Sequence, residues 1–367
     1  MPLGEGPRTG RRAVLAGGAA LALAGCVPGG SGTVAPARDP DLTPQPNPGY
    51  DAWVAGYRER AAARGIAPAV VDRAFAGAGY LPGVVARDRR QTEFTRSLED
   101  YLAIVASPDD VRTGRGKLRR WRATLDRIAA RFGVPAEVVA AIWGVESRYG
   151  ERRGDIPVIS ATSTLAHDGR RGAFFEDQLD AALRILQRGD TTPARLTGSW
   201  AGAMGHTQFI PTTYQAHAVD FDGDGRRDIW AEDPTDALAS AAAYLSRSGW
   251  RTGQPWGVEV TLPAGYAGPV GRGITRPVAA WSVAGIRQAG GGALPDHGPA
   301  ALIRPQAGGP AFLIFRNFTV LTRYNNAETY VIGVGHLSDR LAGAGPLSAA
   351  FGADATGLTI EDRRTLQ

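Results

Sequence analysis

Glu146 is the residue of this chain best placed to do acid–base chemistry. It lies near the end of residues 135–149 (PAEVVAAIWGVESRY), whose apolar spacing predicts a helix. Trp143, Ile142 and Val139 stand three, four and seven residues before it, so the carboxyl group shares an apolar stripe instead of a solvated face. An acid held there loses hydration of its charged form. Its pKa rises and it carries a proton near neutral pH, as a general acid must. The plain alternative is a glutamate hydrogen-bonded into a helix contact. Ser147 follows, able to bond the backbone of its own helix or a ligand.

About fifty residues on, 198–211 reads GSWAGAMGHTQFIP. Small residues let backbone come close to a bound ligand, while Ser199, Trp200 and Gln208 supply hydrogen-bonding and stacking groups. Taken alone, the segment also fits a tight loop between helices. Met204 suits packing as well as ligand contact, and His206 is too isolated for a base and is expected to be structural or at a site edge. A third motif, DFDGDGRRD over 220–228, has carboxylates at positions 1, 3, 5 and 9 and glycine at position 6 of an EF-hand loop. Position 12, where such loops carry Glu, is Ala231. An Asp/Gly turn without metal is the alternative.

The elements that must position these groups are mostly helical. Helices are expected over 53–76 with a restart at Ala67-Pro68-Ala69, then over 94–106, 116–132, 172–187 and 328–341. Gly133 and Pro135 stop one helix and start the Glu146 helix. Asp233-Pro234-Thr235-Asp236 opens a helix that ends at Gly249 and carries Tyr244, whose neighbours Ala237, Ala241 and Leu245 also suit a core aromatic. Residues 256–302, rich in Gly, Pro and Val, suit short strands such as 258–262, and 311–315 reads as a strand. The fold class is α+β, predominantly helical, with a smaller β-containing part.

The N-terminus reads as a secretion signal: Arg8, Arg11 and Arg12 lead into an apolar run over 13–24 that stops at Gly25-Cys26. Residues 27–50 are rich in Pro, Gly, Ser and Thr and are expected to form an extended tether. Cys26 is the single cysteine, which excludes a disulfide within the chain. At 367 residues with 43% hydrophobic and 21% charged, the chain has the balance of a globular protein with a large core or two fused subdomains. The net charge of +5 is spread out, without a compact basic tract interleaved with aromatics, and so does not point to nucleic acid. The cluster Arg112, Arg115, Lys117, Arg119, Arg120 and Arg122 precedes and begins an expected helix and reads as a solvated face.

Together, the helix ending in Glu-Ser-Arg-Tyr-Gly and the Gly/Ala/Met/Gln segment resemble the lytic murein transglycosylases of the membrane-bound B type, relatives of the soluble lytic transglycosylases and goose-type lysozymes. The resemblance runs from about residue 50 to 341 and implies a lysozyme-like catalytic core with an EF-hand-like calcium loop. It implies that Glu146 is the sole catalytic carboxylate. Glu146 would cleave the bond between N-acetylmuramic acid and N-acetylglucosamine in peptidoglycan without water, leaving a 1,6-anhydro ring. It carries substrate-binding roles over to Ser199, Gln208, Tyr244, Tyr324, Asn325 and Tyr330, with Ser147 and Met204 as further candidates. It also implies a structural Ca2+ held by Asp220, Asp222, Asp224, the carbonyl of Arg226 and Asp236. Leu23-Ala24-Gly25-Cys26 resembles a lipoprotein lipobox, implying cleavage of 1–25 and lipidation of Cys26, with 26–49 as tether, 50–345 as catalytic domain and a periplasmic enzyme anchored to the outer membrane in preference to the inner. Loss of residues 1–25 removes three Arg and one Glu and lowers the charge to +3. The tail 346–367 resembles the start of a peptidoglycan-binding module. Two other readings stay open: a goose-lysozyme-like hydrolase that uses Glu146 with an activated water, and a calcium-stabilised wall-binding lipoprotein without catalysis.

Overall fold

The computed structural model describes residues 39–90 and 97–351. The expected signal segment, Cys26, the first part of the tether and most of the 346–367 tail lie outside the described residues. Glu146 sits in a helix, Ala136–Ser147, with nine of its twelve residues buried. A helix apolar almost all round belongs in the middle of a core. It packs along Glu328–Leu341 and against Arg122–Phe132 and Pro108–Arg120. The two long partners run in opposite directions, since Glu146 at the end of one meets Tyr330 at the start of the other, and Val138 and Asp339 line a cavity at the opposite end.

A second core holds helices Pro48–Ala63, Pro68–Phe75 and Gly172–Arg188, with Tyr57, Leu179 and Leu183 fully enclosed. Met204 and Phe209 belong to this second core, and Tyr324 packs against both. The site therefore lies at a seam between two hydrophobic clusters. The β part is a five-stranded antiparallel sheet in the order Thr275–Arg276, Ala300–Ile303, Ala311–Ile314, Gly257–Thr261, Arg287–Gln288. Its strands alternate: Ala301, Ile303, Phe312 and Ile314 face the Glu146 core, while Ala300, Leu302, Ala311 and Leu313 pack with Trp281 of helix Val278–Val283. A two-stranded ladder, Ile156–Pro157 with Thr197–Gly198, ties the small-residue loop to the chain that leaves the acid helix.

Several expectations need correction. The helix over 116–132 is two helices, Pro108–Arg120 and Arg122–Phe132, broken at Trp121. Leu118, Leu125 and Ile128 are buried on both sides of the break, so one apolar periodicity runs through two axes. All of the basic cluster but Arg122, which opens the second helix, lies inside the first, which starts earlier, where Ser107 Oγ accepts the Asp110 N–H at 3.1 Å. Residues 39–47 of the expected tether fold onto the body: the Gln45 N–H donates to Tyr80 O at 2.8 Å and Asp39 pairs with Arg87 at 2.8 Å. A segment without a core of its own is held there by backbone and charge. Helix Val158–Asp168, rich in Ser, Thr and Ala, carried no clear periodicity because residues 158–166 are all buried. Among the described residues no single helix is long and apolar enough to cross a membrane.

The acid helix ends at Ser147, two residues before the expected 149. Arg148 and Tyr149 turn left-handed at φ 49° and 58°, and the N–H groups of Arg148 and Tyr149 donate to Gly144 O at 2.9 Å and Trp143 O at 3.2 Å. This is a Schellman-type closure made without glycine at the left-handed position, a conformation that costs roughly 1–2 kcal/mol per non-glycine residue. The turn folds Tyr149 back over the helix, edge-on to Trp143 with centroids 5.7 Å apart, and its hydroxyl donates to Asp110 O at 3.2 Å. A Cβ on Gly144 would stand 2.7 Å from Tyr149 Cζ. Gly144→Ala is therefore expected to destabilise the fold, because overpacking of about 1–3 kcal/mol outweighs roughly 1 kcal/mol of helix propensity. Urea unfolding measures it, and a variant as stable as the wild type would refute this account of the turn.

Candidate active site

The Glu146 carboxyl group lies on the floor of the seam, enclosed by protein atoms yet partly open to solvent. Burial pushes its pKa from 4.5 to about 7, and the Tyr330 hydroxyl, donating to Oε1 at 2.5 Å, opposes that shift without cancelling it. Among the described residues no carboxylate acts on its proton. Tyr330 reaches it from the first turn of helix Glu328–Leu341. Burial, and then the nearby Glu146 charge, raise the Tyr330 phenol well above its ordinary range, so it stays a donor.

A wall of aromatic rings continues from there. Tyr324 lies nearly parallel to Tyr330, centroids 6.5 Å apart, and donates to Thr207 O at 2.5 Å. Tyr244 stands edge-on to Tyr324 at 5.4 Å and donates to Arg323 O at 2.6 Å. Both rings are partly exposed, so Tyr244 belongs to the wall as well as to its helix. Asn325 Oδ1 accepts the Ala327 N–H at 2.9 Å, just ahead of the helix that carries Tyr330.

Against these rings lies the loop 198–210, whose Phe209 packs with Tyr244 and Tyr324, centroids 5.9 Å apart in each pair. Its small residues bring backbone against backbone, which differs from the expected approach to a ligand: a Cβ on Gly198 would meet Ala203 O at 2.2 Å and one on Gly205 would meet Ile229 O at 2.3 Å. Gln208 holds φ at +51°, and its Nε2 donates to Gly205 O at 2.8 Å and Arg153 O at 3.1 Å. With the amide nitrogen so engaged, Oε1 is the end left for a ligand. Ser199 is partly exposed and its Oγ accepts the Ala203 N–H at 3.1 Å. Two candidates need correction as surface contacts. Met204 is fully buried, bonded by its backbone to Phe209, and Ser147 is fully buried, its Oγ donating to His206 O at 2.6 Å and accepting the Gly150 N–H at 3.0 Å. They brace the scaffold.

His206 is buried between Trp143 and Ala231 and is structural, as expected. Arg153 is a residue that the sequence reading missed: it donates to Trp230 O and Ala231 O, both at 3.1 Å, and its own carbonyl holds Gln208. Its signal was weak, one arginine among three in Arg148–Arg153.

In the acidic loop, Asp220, Asp222 and Asp224 are exposed and converge, with one oxygen from each lying within 4.8 Å of the others. None has a salt-bridge partner among the described residues. The loop is wound as a turn by its own carboxylates: Asp220 accepts the N–H groups of Gly223 and Gly225 at 2.7 and 2.9 Å, and Asp224 accepts that of Arg226 at 2.8 Å. Asp236, expected to close the site, does not join the three. It is buried and holds the loop from beneath, accepting from the N–H groups of Phe221 at 2.8 Å and Asp228 at 2.9 Å, and burial raises its pKa to about 6.

A family model described as Transglycosylase SLT domain matches residues 49–339. Membrane-bound lytic murein transglycosylase B of Escherichia coli (strain K12) is 33% identical over 245 residues, 66% of this chain and 66% of that one, or about two thirds of each. SltB3 of Pseudomonas aeruginosa, solved in complex with NAG-anhNAM-pentapeptide, is 46% identical with a TM-score of 0.80, covering 83% of this chain and 82% of that chain. Escherichia coli SLT35, solved in complex with calcium, is 29% identical with a TM-score of 0.69, covering 81% of this chain and 93% of that one. A model match across most of the chain, joined to a lysozyme-like helical core around one protonatable glutamate, places this protein within a single family: the chain belongs to the transglycosylase SLT domain family of lytic transglycosylases.

Proposed function

We propose that this protein cleaves the β-1,4 bond between N-acetylmuramic acid and N-acetylglucosamine in peptidoglycan, forming 1,6-anhydro ends in cell-wall turnover. The observation that carries the reading is Glu146, a carboxyl group with pKa about 7 and no carboxylate partner among the described residues. Ordinary glycosidases use two acids; one suffices if it acts twice. Protonated Glu146 gives its proton to the leaving oxygen as the glycosidic C1–O bond breaks, and the substrate's own N-acetyl oxygen stabilises C1. Glu146, now ionised, takes the proton of the C6 hydroxyl as that oxygen attacks C1, which displaces the acetamido oxygen, closes the anhydro ring and restores the acid. Tyr330 orients Glu146, Gln208 Oε1 and Ser199 receive N-acetyl and hydroxyl groups, and Tyr324, Tyr244 and Asn325 line the sugar path.

The donor set of the acidic loop fits a hard cation: three converging carboxylates without basic partners among the described residues, in a loop that also carries the Arg226 carbonyl. Asp220, Asp222, Asp224 and the Arg226 carbonyl would hold Ca2+, with Asp236 supporting the loop from below. The ion would neutralise crowded charge and stiffen the link between the Gln208 loop and the Tyr244 helix. Lipidation at Cys26, which lies outside the described residues, would anchor the enzyme on the periplasmic face of the outer membrane.

Mass spectrometry of peptidoglycan digests is expected to give 1,6-anhydro ends with the wild type and no turnover with Glu146→Gln. Reducing ends would replace this reading by a hydrolase, and equal, negligible turnover by both chains would leave only wall binding. The same substitution tests the pKa. Between pH 4.5 and about 7 the folded chain keeps a proton that the unfolded chain has released, so the stability tied to that proton is complete below pH 4.5 and is lost as pH rises past 7. Glu146→Gln, uncharged throughout, is expected to be more stable than the wild type at pH 8 by a margin that vanishes near pH 4.5; urea midpoints with the same gap at both pH values would contradict this. For the loop, Ca2+ at about 100 times its Kd adds ~2.7 kcal/mol to folding stability. The full chain is therefore expected to melt several degrees higher in Ca2+ than in chelator, a difference that Asp222→Asn removes. Equal melting in both conditions would reject the calcium site.

A further inference from the structure

The hydrogen bonds around His206 join two parts of the molecule, the end of the acid helix and segment 229–231. On the catalytic side, Nδ1 accepts the Trp143 indole N–H at 3.1 Å, and the His206 carbonyl accepts Ser147 Oγ at 2.6 Å. Trp143 lies three residues before Glu146 and Ser147 directly after it. On the other side, Nε2 lies 2.7 Å from Ala231 O, and the His206 backbone N–H donates to Ile229 O at 3.2 Å. Residues 229–231 are held in turn by Asp228, whose Oδ1 accepts the N–H groups of Trp230 at 2.9 Å and Ala231 at 3.0 Å, and Asp236 holds the Asp228 N–H.

The ring's proton is placed by its partners. An indole N–H can only donate and a carbonyl can only accept, so Nδ1 is bare and Nε2 carries the hydrogen for Ala231 O at 2.7 Å, while Arg153 Nη1, 3.3 Å from Nε2, donates to Trp230 O and Ala231 O instead. The imidazole is thus neutral. Burial holds its pKa below the ordinary value, as do the positive charges of Arg153 and Lys117, against the opposing pull of the Ala231 carbonyl and Glu232. A proton added at Nδ1 would face the Trp143 N–H. The left-handed turn after Glu146 closes against the same ring, since a Cβ on Gly150 would meet His206 Nδ1 at 2.5 Å.

We propose that His206 is a positioning residue: as a neutral imidazole it transmits the geometry of the acidic-loop segment 228–231 to Trp143 and Ser147, and through them sets the place and hydration of the Glu146 carboxyl group. This rests on the reading of Glu146 as the acid. Two substitutions separate the halves of the link. His206→Gln keeps a donor where Nε2 stands and removes the acceptor for Trp143; His206→Asn keeps the acceptor where Nδ1 stands and removes the donor for Ala231. With the full chain and soluble peptidoglycan fragments, each is expected to lower kcat by about tenfold or more with KM little changed. His206→Gln is also expected to move the basic limb of the kcat profile to lower pH, because a loosened Trp143 lets water reach Glu146 and lowers its pKa. Should the histidine variants fail to fold, Trp143→Phe, which keeps a ring but lacks the N–H, is expected to give the same limb shift. Wild-type kcat and pH limb in a folded His206 variant, or a loss confined to KM or to melting temperature, overturns the inference. A wild-type chain no more active than Glu146→Gln overturns the reading of Glu146 instead.

Discussion

In the proposed reaction one constraint organises the molecule: a carboxyl group must be dry enough to keep its proton near neutral pH and open enough to give that proton away. Full burial of Glu146 would satisfy only the first condition, and a place on the outer surface only the second. The seam between two hydrophobic clusters satisfies both. Protein atoms surround the carboxyl group, while Glu146 keeps part of its surface open to solvent. Tyr330 is what makes the compromise stable. Its hydroxyl gives the acid one short hydrogen bond in either protonation state, without adding a charge that would strip the proton away.

The backbone around the acid is held under local strain. Arg148, Tyr149 and Gln208 adopt left-handed conformations that side chains disfavour, and all three lie where the chain leaves the acid helix or faces it. Such conformations persist only where surrounding contacts outweigh them. Here the contacts are visible: Tyr149 wedged over Gly144 and bonded to Asp110, and the Gln208 amide tied to two carbonyls. The strain turns the chain sharply away from Glu146 and leaves space beside it.

The sheet and the acidic loop support the site from further away. One face of the sheet completes the core around the acid helix, and the other is closed by its own helix through Trp281. The acidic loop is anchored from below by Asp236, and its exposed side carries three converging carboxylates with no salt-bridge partner among the described residues. His206 lies between that loop and the acid, and Arg153 spans the same gap from the other direction.

Local chemistry made much of this legible in the residues alone. An acid at helical spacing from Trp143, Ile142 and Val139 announces a raised pKa, because periodicity decides which face a side chain shares. The helix Glu328–Leu341, the stop at Gly249 and the wound acidic loop follow from signals confined to a few neighbouring residues. Tertiary structure decided what depends on residues distant in sequence. Periodicity could not find the break at Trp121, because both helices bury the same repeating stripe. It could not find Val158–Asp168 either, because a helix enclosed on every side has no polar face to set its period. Nor could it tell that Ser147 and Met204 are bracing residues, that small residues in 198–205 admit backbone where a ligand was expected, or that Asp236 supports the loop from below. Each of these depends on which surface packs over which, and a hydroxyl or a thioether looks the same in sequence whether a carbonyl, a core or a sugar lies beside it.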